Sequence, residues 1–74
     1  MTRVGCKRAN ETLKALRRRL DSTEGGGVWR TDATRALTMA ANAIAADACR
    51  DAEWYLNWAA KEVRNVERFG TSAW

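Results

Sequence analysis

Seventy-four residues are enough for one domain with a modest hydrophobic core, and so small a chain usually needs a crosslink, a metal or a partner chain for stability. The chain has no histidine and two cysteines, Cys6 and Cys49, which excludes a four-ligand zinc site within one chain and any Ser-His-Asp or Cys-His catalytic arrangement. The net charge is +4, and the positive excess lies in residues 1–21, which carry seven basic side chains against two acidic ones.

The first predicted element is a helix over about residues 7–21. Apolar residues recur there at spacings of four, three and four, which places them on one helical face: Ala9, Leu13, Leu16 and Leu20. A Gly-rich loop, residues 22–31, follows. Its Gly25-Gly26-Gly27 triplet ends the helix, because glycine adopts the left-handed conformation found after helix ends.

The second predicted element is a long helix over about residues 32–69, followed by a short tail, residues 70–74. Thr31 or Asp32 is a suitable N-cap, and a single helical period accommodates the polar side chains of the whole stretch. A break near Ala46-Asp47-Ala48 is the alternative, with Asp47 as a new cap. The predicted fold is therefore all-α: one domain, 1–74, forming an antiparallel helical hairpin with a short first helix and a long second helix.

The second half of the long helix, residues 50–69, would extend beyond the first helix and leave a wide apolar arc uncovered. The chain could fold back at a break into a three-helix bundle, pair with a second copy, or dock on a different protein. We favour pairing, because two-fold dimers are the commonest oligomers. A heptad-like repeat supplies the predicted dimer interface of the resulting helical bundle: Ala52, Leu56, Ala59, Val63 and Val66.

The same hairpin brings Cys6 close to Ala48 and Cys49, so that the geometry permits a disulfide. We favour two reduced, buried cysteines, because the N-terminus lacks the apolar core of a signal peptide. No run approaches the roughly 20 apolar residues of a membrane span. The sequence therefore predicts a cytoplasmic protein without a membrane partner.

Catalytic and cofactor motifs are missing from the sequence. The Gly25-Gly26-Gly27 segment has neither the Lys-Ser/Thr of a P-loop nor a strand before it. Asp47 and Asp51 stand one turn apart and could hold a metal, but a solvated helix edge is the favoured interpretation. We predict a protein that is not an enzyme and binds no cofactor or metal.

Two groups of side chains are candidate partner-binding residues. The aromatic group suits interface hot spots, although filling a core is the favoured alternative: Trp54, Tyr55 and Trp58. The basic group could neutralise phosphates or an acidic protein surface, although an ordinary solvated face is the favoured alternative: Lys14, Arg17 and Arg18.

These features predict a non-catalytic helical protein–protein interaction module, dimeric through its second helix. Such a protein suits an adaptor or an inhibitor that occupies a surface of a larger protein or nucleoprotein assembly, and a phage or mobile-element inhibitor of a host complex would fit. The alternative is a small DNA- or RNA-binding protein that uses its basic N-terminal helix.

Overall fold

The described part of the chain, residues 6–69 of a computed structural model, consists of three α-helices and has no strand. They are α1 (Lys7–Asp21), α2 (Gly27–Ala45) and α3 (Cys49–Phe69). The all-α class is confirmed, and α1 has the predicted bounds. The two-helix hairpin is wrong, because the long second helix is divided into α2 and α3. The predicted tail, 70–74, lies outside the described residues.

A helix-terminating motif at Asp47 divides the predicted long helix. Asp47 has a left-handed backbone with φ of 62°, a conformation that aspartate tolerates better than most residues. Its N–H donates to the carbonyl of Ile44 at 2.9 Å, and the N–H of Ala48 donates to the carbonyl of Ala43 at 2.8 Å. This pair of bonds is the Schellman motif. The alternative weighed from the sequence therefore holds, although the observed role of Asp47 is to end α2.

The three helices form an up-down-up arrangement in which α1 and α3 run in the same direction. Cys6 at the start of α1 is bonded to Cys49 at the start of α3, and Arg19 near the end of α1 pairs with Glu67 near the end of α3. The intervening helix, α2, runs in the opposite direction.

One core of small and aliphatic side chains holds the helices together. It contains the four apolar residues predicted on α1 and five residues of α2, chiefly alanines, which allow close helix approach. Its α3 members are the five predicted dimer-interface residues, each at most 4% exposed: Ala52, Leu56, Ala59, Val63 and Val66. The heptad-like repeat thus packs against helices of its own chain. The uncovered segment that motivated pairing does not exist, because the chain folds back on itself.

The connection between α1 and α2 is shorter than predicted, because α2 begins at Gly27. Gly26 has φ of 101°, and a Cβ atom added to it would lie 2.9 Å from both methyl groups of Val66. The guanidinium of Arg30 donates to the carbonyls of Leu20, Thr23 and Gly25. The carbonyl of Leu20 lies in the last turn of α1 and those of Thr23 and Gly25 lie in the loop, so Arg30 joins the end of α1 to the loop.

A disulfide joins Cys6 to Cys49, with a Cα–Cα distance of 5.1 Å and a sequence separation of 43. The expectation of two reduced cysteines is therefore wrong. Closing a loop of this length stabilises the fold by about 4 kcal/mol in the chain-entropy model. The reduced state was expected for a cytoplasmic protein, whereas disulfides persist mainly in oxidising compartments. None of the described helices combines the length and apolar character needed to cross a lipid bilayer.

Candidate functional site

An exposed cluster of aromatic side chains lies on α3; we call Trp54, Tyr55 and Trp58 the aromatic cluster. The ring centroids of Trp54 and Tyr55 are 5.3 Å apart in an edge-to-face arrangement. The centroids of Trp54 and Trp58 are 6.4 Å apart. Both distances are within the range of favourable aromatic pairs, so that the three rings support one another as a single surface.

The position of the cluster follows from the buried face of α3. Leu56 and Ala59 are buried against the other helices, which turns Trp54 towards solvent and places Trp58, one turn further along, at the border of the core. Trp54 is 64% exposed, whereas Tyr55 and Trp58 are half-buried and pack against the core. Trp54 is therefore a surface residue, whereas Tyr55 and Trp58 contribute both to the core and to the surface.

An open cleft of about 460 Å³ lies beside the two indole rings, with Asn57 and Lys61 completing its walls. The indole N–H of Trp58 donates to Oε2 of Glu62 at 3.2 Å, which fixes the orientation of one wall. Within the described residues, Oε1 of Glu62 is buried and makes no hydrogen bond. The cleft can receive an apolar side chain against the indole rings, with an amide and an ammonium group at its edge.

A second groove, of about 330 Å³, lies between α1 and α3 and adjoins this cleft. Asn57 belongs to both cavities. Arg8 and Thr12 line the groove on the α1 side, and Glu53 lines it on the α3 side. The aromatic cleft and this groove therefore adjoin at Asn57.

The predicted basic group is exposed, but the structure does not bring it to the aromatic cluster. Arg17 lines a groove between α1 and α2, together with Thr34 and Leu37. Lys14 and Arg18 are one turn apart on the solvent side of α1. The six predicted partner-binding residues therefore belong to at least two separate surfaces.

The ion pair between α1 and α3 involves a basic residue outside the predicted group. Nε of Arg19 donates to Oε2 of Glu67 at 3.0 Å, and Nη2 donates to Oε1 at 2.6 Å. The hydrogen bonds from Arg19 lower the pKa of Glu67, and the same contact raises the pKa of Arg19. This two-point contact holds the ends of the two parallel helices together.

Sequence reasoning missed three residues that shape the cleft: Asn57, Lys61 and Glu62. Each lies three, four or seven positions from a tryptophan of the cluster, which is the spacing of neighbours on a helical face. Applying that spacing around Trp54 and Trp58 would have identified them. Comparisons with protein-family models, with curated proteins and with solved structures find no match to this chain.

Proposed function

We propose that the protein is a non-catalytic interaction module that binds another protein through the aromatic cluster and its cleft. The observation that carries this proposal is the 64% exposure of Trp54, on a surface where two further aromatic rings adjoin it. Tryptophan and tyrosine are the side chains most enriched at interface hot spots.

The free energy available from covering Trp54 supports this proposal. A tryptophan side chain buries about 150–250 Å². Covering the part of Trp54 that is now exposed would contribute roughly 3 kcal/mol at about 25 cal/mol per Å². That corresponds to about a hundredfold in affinity from one side chain. The contacts of Trp54 with the rings of Tyr55 and Trp58 restrict its side chain before binding, which lowers the entropic cost of ordering it.

The polar groups around the cleft indicate the chemistry of the partner. Lys61 provides a positive charge and Asn57 a donor and an acceptor beside the indole walls. A partner segment with an apolar or aromatic anchor and an acidic side chain a few residues away would satisfy both. Occupying such a surface on a larger assembly is how a small adaptor or inhibitor without catalytic groups would act.

The experiment that tests this proposal compares two exposed apolar side chains. Tagged wild-type protein, Trp54→Ala and Val28→Ala are used to capture proteins from nuclease-treated extracts of the native host. Val28 is 74% exposed at the start of α2, away from the cluster, and is therefore the matched control. We expect a partner that wild type and Val28→Ala retain and that Trp54→Ala loses. The same captured set with all three proteins would contradict the proposal.

A second candidate function is nucleic-acid binding through α1. It is favoured by Lys7, Lys14 and Arg18, which are exposed on the solvent side of that helix. Phosphate contacts make affinity fall steeply with salt. Titration of labelled duplex DNA and RNA at about 50 mM salt, with wild type and with the double variant Lys14→Glu and Arg18→Glu, decides the matter. Absence of binding by the wild type at that salt would remove this candidate.

A further inference from the structure

The two cysteines and one carboxylate come together where the three helices meet. Sγ of Cys6, Sγ of Cys49 and a carboxylate oxygen of Asp47 all lie within 4.8 Å of one another. We call these residues the thiol–carboxylate group. Their contact follows from the fold: Cys6 precedes α1, Cys49 begins α3, and Asp47 lies in the turn between α2 and α3.

We propose that the thiol–carboxylate group, once its disulfide is reduced, binds one thiophilic divalent cation such as Zn²⁺. Two thiolates and one carboxylate are ligands that zinc accepts, and three protein ligands with a fourth position open to water form a known class of zinc site. The sequence excludes a four-ligand set within one chain, which a three-ligand set does not require. The proposal departs from the sequence-based prediction that the protein binds no metal.

The distances suit a tetrahedral ion. With Zn–S bonds of about 2.3 Å, two ligating sulfurs lie about 3.8 Å apart, and a carboxylate oxygen lies slightly closer to each sulfur. Reduction frees the sulfurs to move to that separation by rotation of the cysteine side chains. The Cα atoms, 5.1 Å apart, are held by their two helices, and a carboxylate oxygen of Asp47 already lies within 4.8 Å of both sulfurs.

The helix ends favour the ligating form of the cysteines. Cys6 is the N-cap of α1 and Cys49 is the first residue of α3, so each sulfur lies at a helix N-terminus. Free amide groups and the helix dipole stabilise a thiolate there. Two thiolates beside the Asp47 carboxylate nevertheless repel one another. A bound divalent cation offsets the repulsion between the two thiolates.

The chemical steps balance with a small dithiol as reductant. Its thiolate attacks the Cys6–Cys49 bond to form a mixed disulfide, and its second thiol then displaces the protein sulfur. The reductant leaves as a cyclic disulfide, and the protein gains two electrons and two protons as two thiols. The cation then replaces both thiol protons, which pass to solvent.

Cobalt is the probe for this site, because thiolate ligation to Co²⁺ gives an intense near-ultraviolet absorption. Full-length protein is reduced with a dithiol, freed of the reductant without oxygen, and titrated with Co²⁺ and then Zn²⁺. We expect one Co²⁺ per chain in the reduced wild type, displaced by Zn²⁺, and no such absorption in the oxidised protein. No thiolate absorption in the reduced wild type, or one ion shared by two chains, would overturn the proposal.

The variant Asp47→Asn tests the third ligand, and Asp51→Asn is its matched control. Asp51 is an exposed carboxylate in the first turn of α3 but is not part of the group. We expect Asp47→Asn to weaken Co²⁺ binding about tenfold or more, because even the loss of a residue that only hydrogen-bonds to a metal ligand weakens binding by that factor. Asp51→Asn should bind Co²⁺ as wild type does. Equal binding by all three proteins, or an equal loss in both variants, would overturn the assignment of Asp47.

If reduction unfolds the chain, circular dichroism replaces cobalt absorption as the measurement. Zinc binding would then restore folding, because binding and folding free energies are coupled in such sites. We expect one equivalent of Zn²⁺ to restore the helical circular dichroism of reduced wild type and of Asp51→Asn, but not of Asp47→Asn. Recovery that does not depend on Asp47 would contradict the proposal.

Discussion

Gly26 shows how a single residue position joins the loop to the core. Its backbone has φ of 101°, and its missing side chain leaves room for the methyl groups of Val66, a core residue that is fully buried. A side chain at this position would therefore meet two separate penalties, a strained backbone and a steric contact with α3. The glycine is required by packing as well as by the turn.

We predict that Gly26→Ala destabilises the fold by about 3 kcal/mol. Positive φ costs about 1–2 kcal/mol for alanine, and the contact with Val66 adds about 1–3 kcal/mol as overpacking. Urea denaturation followed by circular dichroism measures the change. Gly25→Ala is the control, because Gly25 also has positive φ, at 77°, but is exposed. Equal destabilisation by the two variants would show that Val66 yields without cost.

The burial and role of a residue could be predicted from the sequence where they depend on a single helix, and less well where they depend on neighbouring helices. The four apolar positions of α1 lie in one helix with one buried face, and their spacing was sufficient to predict both the helix and its burial. Asp47 was harder to interpret, because glycine is the usual residue at the left-handed position after a helix. Trp54 and Trp58 were recognised as a pair, but their division between surface and core depends on neighbouring helices.

At the scale of elements, the break between α2 and α3 was obscured by the breadth of the apolar surface. At 100° per residue, the buried stripes of α2 and α3 are centred about 120° apart on one helical wheel. Tyr55, Trp58 and Ile44 widen the apolar arc. The polar residues alone fit one continuous helix. The buried residues do not, because the buried face of α3 is rotated from that of α2.

The pairing of α1 with α3 at their C-terminal ends depends on the charge of Glu67, and we predict that its contribution is lost in acid. The pKa of Glu67 is lowered by its hydrogen bonds to Arg19, so the ion pair stabilises the fold above the ordinary glutamate pKa of 4.5. That contribution disappears as the pH falls through the lowered value. Both side chains are partly exposed, so solvent screening limits the effect to about 1 kcal/mol or less.

The measurement is the free energy of unfolding in urea, for wild type and Glu67→Gln, at neutral pH and at successively lower pH. We expect wild type to be the more stable protein at neutral pH and the difference to vanish in acid. Glu24→Gln, an exposed glutamate of the loop, should match wild type throughout. A difference that stays constant with pH would show that packing, and not the charge of Glu67, distinguishes the two proteins.

At the scale of the whole molecule, the fold meets the stability requirement of a short chain within one copy. The disulfide and the Arg19–Glu67 pair join α1 to α3 near opposite ends, and a continuous core lies between them. Pairing of two copies is no longer needed to cover the heptad-like repeat. A partner, where one binds, is more simply accommodated on the aromatic cluster, which lies outside that core.

This arrangement predicts different outcomes for buried and exposed substitutions on α3. Leu56→Asp and Val63→Asp place an unpaired charge in the core, which costs several kcal/mol, comparable to the whole free energy of unfolding of so small a domain. We expect both variants to lose helical circular dichroism. Trp54→Asp introduces the same charge at an exposed position, so it should keep the wild-type spectrum.

Light scattering on the same samples distinguishes a repeat that is buried within one chain from a repeat that joins two copies. Were the repeat an interface between copies, Val63→Asp would remain helical and have the 8.3 kDa mass of a single chain, while wild type would have twice that mass.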